Sequence, residues 1–166
     1  VSLMESDAQS WAKLVTCYHA LGDEPRMRKA AEMAVAQAEQ VLAHDQSNGA
    51  VMSFGARGYA ALGEMERAKE WMERAMLIDP DNLNMRYNLA CMIAVHLDEN
   101  DAAISLLERN FANSGVLYVK AAEADPDLDP LRDDPRFRAM LDGARNRLGM
   151  VPAEVLVAAG GKPATS

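Results

Sequence analysis

An internal repeat is the feature that most constrains how this chain can fold. One set of positions recurs 34 residues later: Met52, Gly55, Ala56 and Tyr59 correspond to Arg86, Leu89, Ala90 and Ile93. An earlier set lies 41 residues before its counterparts. Its members are Trp11, Leu14, Val15, Tyr18, Leu21 and Gly22, and the counterparts are Met52, Gly55, Ala56, Tyr59, Leu62 and Gly63. The two offsets differ by seven residues, about two turns of an α-helix, so the insertion lengthens a helix without turning its buried face away from the core. The pattern predicts stacked helical units, because a unit this short cannot bury its apolar face alone.

The middle copy shows alternating small and large residues at the predicted contacts between helices. Its small positions are Gly55, Ala56, Ala68 and Ala75, and its large positions are Met52, Tyr59 and Met72. Small residues let two backbones approach while large ones fill the space between layers, as close packing requires. Gly63 can adopt a positive φ to end the first helix, and Pro80 cannot continue the second. The copy therefore predicts a helix-turn-helix unit.

This 34-residue unit resembles the tetratricopeptide repeat, whose pattern has a large residue, Leu-Gly, Tyr, Ala and Pro at fixed offsets. The resemblance implies an all-α helical solenoid of about three repeats, at about 8–48, 49–82 and 83–115. The third repeat has Leu97 in place of the turn glycine and one extra residue before Ala103. The first repeat has a long Ala-rich second helix.

Residues 116–149 follow the repeats and are expected to form C-terminal capping helices, which a solenoid needs to cover its last apolar layer. Asp129-Pro130 and Asp134-Pro135 each place an N-capping carboxylate before a proline at the first helical position. The apolar face of the final helix is expected to cover the layer made by Leu107, Val116 and Leu117. That face consists of Phe137, Met140, Leu141 and Ala144.

The closing motif D-x-D-L-D-P-L-R-D-D-P-R-F, at 125–137, resembles a region of certain bacterial multidomain proteins. In those proteins, C-terminal tetratricopeptide repeats follow a class III adenylate cyclase domain or a winged-helix domain. The resemblance implies a regulatory or scaffolding segment of a larger protein. Nothing in this chain matches the cyclase domain itself.

Composition narrows the range of partners and compartments. The 166 residues include 17 Lys and Arg against 25 Asp and Glu, a formal charge of −8, with no basic cluster of the kind that binds phosphates. We therefore expect no nucleic-acid partner. No apolar run is long enough to insert into a membrane, and the first residues lack the pattern of a signal peptide. Cys17 and Cys91 lie in apolar helical patterns and are expected to be two buried thiols, which favours a reducing, cytoplasmic location.

The sequence offers no recognisable catalytic, metal or cofactor motif. Asp125, Asp127 and Asp129 have the spacing that opens a calcium loop, but Pro130 and Arg136 stand where glycine and glutamate are required. We interpret these aspartates as helix caps and solvated side chains. The histidines are scattered, and no nucleophile lies in a known context. We therefore expect no metal, no cofactor and no enzymatic activity.

In the resembling fold, the first helix of each pair lines a concave groove. Position by position, the candidate partner-binding residues are Gln9, Thr16, His19, Ser53, Arg57, Asn84, Tyr87 and Cys91. The intervening alanines predict a nearly uncharged groove that takes a peptide or helix with an apolar anchor, rather than an acidic C-terminus. The ligand could be another protein, another segment of the same protein, or a dimer mate.

Two functions remain open at this point. The first is a noncatalytic protein-interaction or regulatory module of a larger signalling protein. The second is a structural spacer or dimerisation arm of an adenylate cyclase, with no ligand in the groove. The apolar tail at 150–166 is expected to pack on the cap or to enter the groove of a neighbouring copy.

Overall fold

Helices dominate the structure, a computed structural model that describes residues 3–150, with side chains from residue 7. They are α1 Leu3–Ala20, α2 Glu24–Leu42, α3 Gly49–Ala61, α4 Met65–Ile78, α5 Leu83–His96, α6 Asn100–Asn113, α7 Val116–Ala124, the 3-10 helix η1 Pro126–Leu131, and α8 Pro135–Arg147. Residues 3–150 contain no strand. The predicted all-α helical repeat solenoid is confirmed. None of the described helices is long and apolar enough to cross a lipid bilayer.

The turns inside the helix pairs depend on residues with positive φ. Gly22 has φ 65° and Gly63 has φ 83°, values that glycine adopts without steric cost. In the third pair the corresponding residue is Asp98, with φ 52°, and not Leu97. The extra residue before Ala103 thus shifts the left-handed position by one, to a residue type whose short polar side chain tolerates it.

The helices within each pair, and the first helices of successive pairs, pack closely. Each of α1, α3 and α5 packs on its own second helix, and α3 also packs on both α1 and α5. A Cβ at Gly58 would lie 2.9 Å from the Ala31 carbonyl oxygen, and one at Gly55 would lie 2.3 Å from the Trp71 ring. The small residues therefore set the distance between helices. The contacts of α3 with both α1 and α5 place these three first helices in one row, and the face of this row against which η1 lies is called the concave side.

The C-terminal segment completes the core. Leu128, Leu131 and Phe137 are fully buried, and the Phe137 ring packs edge-on against Phe111, with 6.0 Å between centroids. The 3-10 helix η1 lies against α5 and α1 on the concave side, and α8 packs on α6. The C-terminal helices thus cover two different surfaces of the array.

Asp134 caps α8 as predicted, and its side chain accepts a hydrogen bond from the Arg136 amide. The prediction for Asp129-Pro130 is wrong, since this pair lies inside η1. The residue that caps η1 is Asp125, which is also followed by a proline. Asp129 instead pairs with Arg132 on the surface, at 2.6 Å.

Two further expectations of burial are wrong. Val116 and Leu117 are 39% and 84% exposed, because α7 turns Val119 and Ala122 toward the core instead. Cys17 is exposed while Cys91 is buried, because the buried face of α1 runs through residues such as Ala12 and Val15. The predicted tail at 151–166 lies outside the described residues.

Candidate functional site

A cavity of about 330 Å³ opens on the concave side, between α1, α3, α5 and η1. Its walls are formed by Gln9, Ala12, Lys13, Thr16, Cys17, Phe54, Arg57, Tyr87, Asn88, Cys91, Asp125 and Asp127. The walls expose more apolar than polar surface, and the charged groups concentrate where η1 crosses the row of helices. Concave, largely apolar sites with a few convergent polar groups are the usual form of a binding site.

The wall of the cavity contains a buried ion pair between Arg57 and Asp127. The Arg57 Nη1 atom lies 2.6 Å from the Asp127 Oδ2 atom, and the two side chains are only 8% and 5% exposed. The residues are 70 positions apart and come from α3 and η1. The pair therefore holds the C-terminal segment against the concave face of the helix array.

Arg57 also donates to two other elements. It donates to the Thr16 hydroxyl in α1, and its Nη2 donates to the Asn88 carbonyl oxygen in α5, at 3.1 Å. Thr16 in turn donates to Asp127 Oδ2 at 3.1 Å. Burial by itself would lower the pKa of Arg57, but the Asp127 carboxylate, together with the smaller effects of Cys91 and Asp125, outweighs burial and raises the pKa. The guanidinium thus stays charged, and it is held by three acceptors: the Thr16 hydroxyl, the Asp127 carboxylate and the Asn88 carbonyl oxygen.

The second carboxylate, Asp125, accepts hydrogen bonds from two directions. The Tyr87 hydroxyl donates to its Oδ2 at 2.6 Å, and the Asp127 amide donates to its Oδ1 at 3.0 Å. Burial raises the pKa of Tyr87, and the neighbouring Cys91 and Asp125 raise it further. Burial also raises the pKa of the Cys91 thiol, against the opposing effect of Arg57. Cys91 therefore remains a thiol at neutral pH, whereas a cysteine nucleophile acts as a thiolate.

Cys91, Asp125 and Asp127 bring one sulfur and two carboxylate oxygens within 4.8 Å of one another. Such a donor set can in general hold a metal ion. Here, however, Asp127 is already bound to the Arg57 guanidinium, and the thiol is held in its protonated form. A divalent cation would have to displace one positive charge and remove a proton. These donors serve the hydrogen-bond network that joins η1 to the helices.

The structure brings five of the predicted partner-binding residues together in the cavity wall: Gln9, Thr16, Arg57, Tyr87 and Cys91. His19 lies at a separate depression beside Pro126, with its ring edge-on to His96 and 5.6 Å between centroids. Ser53 is buried, and its hydroxyl donates to the Ala50 carbonyl oxygen at 2.7 Å. Asn84 is exposed and does not line the cavity.

The expectation of a nearly uncharged groove is wrong, because η1 and its N-cap residue place Asp127 and Asp125 in the groove wall. Asp127 was also expected to be solvated, and it is 4% exposed. One signal in the sequence could have indicated the pairing. An arginine among small residues on a close-packed face needs a counter-charge, and the nearest acidic run outside the repeats is at 125–129. Lys13, Phe54 and Asn88 are further wall residues that the sequence reasoning did not select.

Comparison with known proteins bears on the central helix pair. The model of the tetratricopeptide repeat family matches residues 57–82, which cover the last five residues of α3, all of α4 and the turn after it. Neither the curated proteins nor the solved structures yielded a match to this chain. The match supports a tetratricopeptide-type repeat, and such repeats are in general noncatalytic and mediate protein interactions.

Proposed function

We propose that this chain is a noncatalytic protein-interaction module and that the cavity between α1, α3, α5 and η1 is its binding surface. The observation that carries the proposal is the composition of the cavity mouth. Phe54 provides partly exposed apolar surface, while Gln9, Lys13 and Asn88 provide polar groups around it. This combination suits a peptide or helix with one apolar anchor and a few directional polar contacts.

The proposal assigns different tasks to the floor and the mouth of the cavity. Arg57, Tyr87 and Asp125 hydrogen-bond within the protein, so they shape the floor. Gln9 and Lys13 are exposed, and Phe54 and Asn88 are partly exposed. A ligand would therefore meet the mouth first, and its anchor would enter a space whose floor is already rigid. Rigid sites lose less entropy when they bind.

The biological setting that we propose is a regulatory segment of a larger cytoplasmic signalling protein. The support is the closing motif at 125–137, which resembles the end of bacterial multidomain proteins with a cyclase or winged-helix domain. In that setting the ligand is another segment of the same protein, its dimer mate, or a separate protein.

One observation favours the alternative, a spacer with no groove ligand. The chain's own segment η1 already occupies part of the concave face, where Leu128 and Leu131 are fully buried and Asp127 is paired. A concave face that is filled internally supports rigidity without any partner. The two functions differ in whether the mouth residues affect binding.

The test is affinity capture from a lysate of the source cells, with the captured proteins quantified by mass spectrometry. A double variant, Lys13→Glu with Phe54→Ala, changes the mouth and leaves Arg57 and Asp127 intact. We expect at least one captured protein to fall about tenfold or more with this variant, since an apolar anchor and a charge contact would both be lost.

A matched control makes the same types of change elsewhere. Lys29 and Leu77 are exposed and lie on the second helices of their pairs, away from the cavity. Lys29→Glu with Leu77→Ala should leave the captured set unchanged. If the mouth variant keeps every partner that the control keeps, the cavity is not the binding surface and the spacer function replaces the proposal.

A further inference from the structure

A second, more apolar groove lies between α6 and α8, on a different surface from the cavity. Its volume is about 430 Å³. Glu108, Phe111 and Ala112 line it from α6, and Met140, Gly143 and Ala144 line it from α8. Arg147 stands at the end nearest the C-terminus of α8 and donates to the Phe111 and Ser114 carbonyl oxygens.

Gly143 is the unexplained residue in this groove. A glycine inside a helix costs about 1 kcal/mol relative to alanine, so it usually has a packing reason. Gly55 and Gly58 have one, because a Cβ at either position would collide with a neighbouring helix. A Cβ at Gly143 would meet nothing within 4 Å among the described residues. The missing side chain leaves room over α8 that the described part of the chain does not fill.

The chain reverses direction at the end of α8. Gly149 has φ 64°, and the Met150 amide donates to the Arg145 carbonyl oxygen at 2.9 Å. These are the features of a Schellman turn, which reverses the chain after a helix. Met150 itself packs against the core. The segment that follows therefore starts beside the last turn of α8.

The segment beyond Met150 has both the reach and the composition to fill the groove. Leu156 follows Met150 by six residues, which can span up to about 20 Å. Gly143 precedes Met150 by seven residues, about 10 Å along a helix axis. Val155, Leu156 and Val157 form an apolar run between Glu154 and Ala158, too short to build a core of its own.

From these observations we infer that residues 153–159 dock on their own chain, in the groove between α6 and α8, with Leu156 over Gly143. A short tether raises the effective concentration of the segment at the groove to the millimolar range, so a modest apolar contact suffices to hold it. This docking concerns a different surface from the proposed partner cavity, and either can hold without the other.

Disulfide trapping in the full chain tests the inference. In a Cys17→Ser background, one variant combines Gly143→Cys with Leu156→Cys, and it is equilibrated in a glutathione redox buffer. The control combines Asp142→Cys with Leu156→Cys. Asp142 is the exposed neighbour of Gly143 and lies on another face of α8, so the tether length is almost the same. Cys91 is buried and does not compete.

We expect the effective concentration for the intramolecular disulfide to be at least tenfold higher for the Gly143 pair than for the Asp142 pair. Equal values would show that the segment only samples the surface at random, and they would overturn the inference. Disulfides formed only between chains would also overturn it, because the occupant would then be the tail of a second copy.

Amide hydrogen exchange provides an independent measurement without engineered cysteines. Gly143→Arg fills the open space over α8, and Asp142→Arg adds the same side chain on the other face. We expect residues 153–159 to exchange about tenfold faster in Gly143→Arg than in Asp142→Arg. The same exchange rate in both variants would contradict the docking.

Discussion

Arg57 is a single buried cation that connects α1, α3, α5 and η1. Its guanidinium contacts Thr16, the Asn88 carbonyl and Asp127, all of which come from different elements. Breaking a buried ion pair by removing one partner is costly because the other charge stays buried without compensation. Loss of Arg57 would therefore leave the buried Asp127 carboxylate without a counter-charge, and this is why Arg57 matters for stability.

The first prediction concerns this pair. Arg57→Ala should lower the free energy of unfolding by about 3–5 kcal/mol, measured by urea titration. Arg109→Ala, which breaks an exposed ion pair with Asp81, should cost less than about 1 kcal/mol. Replacing both partners, Arg57→Met with Asp127→Leu, should recover most of the loss. A cost for Arg57→Ala as small as that for Arg109→Ala would show that Asp127 is solvated.

His96 is a second residue whose surroundings determine its charge. Burial, followed by the nearby Arg57 and His19, lowers the pKa of His96 to about 4, against the opposing effect of Asp127. These groups come from α3, α1 and η1. In the unfolded chain a histidine takes up a proton near pH 6.5. Between about pH 6.5 and 4 the unfolded state therefore binds more protons at this position than the folded state.

The second prediction follows from that sign. The contribution of neutral His96 to stability is complete above about pH 6.5, and up to about 3 kcal/mol of it is lost as the pH falls toward 4. Urea titrations at several pH values should show a weaker pH dependence for His96→Gln than for the unmodified chain in this window. His44→Gln, at an exposed site, is the control. Parallel pH profiles for the His96 and His44 variants would contradict the prediction.

At the scale of elements, the distance between helices depends on small residues at the contacts. Ala56 in α3 and Ala68 in α4 are fully buried, in line with their predicted packing positions. Tyr59 and Met52 fill the space between layers, and the Tyr59 ring packs edge-on against Trp71 with 5.0 Å between centroids. Helices packed at this distance have no room for additional methylene groups.

The third prediction tests this packing. Ala56→Leu or Ala68→Leu should lower the free energy of unfolding by about 1–3 kcal/mol, because each adds volume to a filled contact. Ala36→Leu should change it little, since Ala36 is exposed on α2 and leucine is also a good helix former. Chemical denaturation measures all three. Similar small effects at the buried and exposed positions would contradict the predicted repeat register.

For the whole molecule, the C-terminal helices close the array in two ways. The 3-10 helix η1 fills part of the concave side, and α8 covers α6 through Phe137 and Phe111. A solenoid without a cap exposes the apolar layer of its last repeat. This cap also supplies the counter-charge for Arg57, so its removal affects the second helix pair as well as the third.

The fourth prediction follows. A chain that ends after Gly115 loses Leu128, Leu131 and Phe137 from the core, and it should melt at a lower temperature and self-associate. Thermal denaturation and light scattering measure the two effects. A chain that ends at Met150 keeps these residues and should retain the cooperative transition of the full chain. An unchanged melting temperature and a monomeric state in the shorter chain would show that the cap is dispensable.

Local rules acting along the chain account for what the sequence by itself determined. The spacing of apolar and small residues predicted an all-helical repeat, and helical periodicity depends only on neighbours within a few turns. Gly63 ends α3 with a positive φ, and Asp134 caps the helix that begins at Pro135, both as the residue types predicted. Five candidate groove residues fell in one cavity because a repeat places equivalent positions on the same face.

The tertiary structure alone decided which distant elements meet. The capping aspartates of a local motif could equally have faced water, yet packing of Leu128 and Leu131 pulls η1 onto the concave face and brings Asp127 to Arg57, 70 residues away. Packing between distant elements also buries Val119 rather than Leu117 on α7, and it leaves Cys17 exposed on α1. These outcomes depend on the summed packing of several helices at once, and spacing within one segment carries no information about which face its distant neighbours will cover.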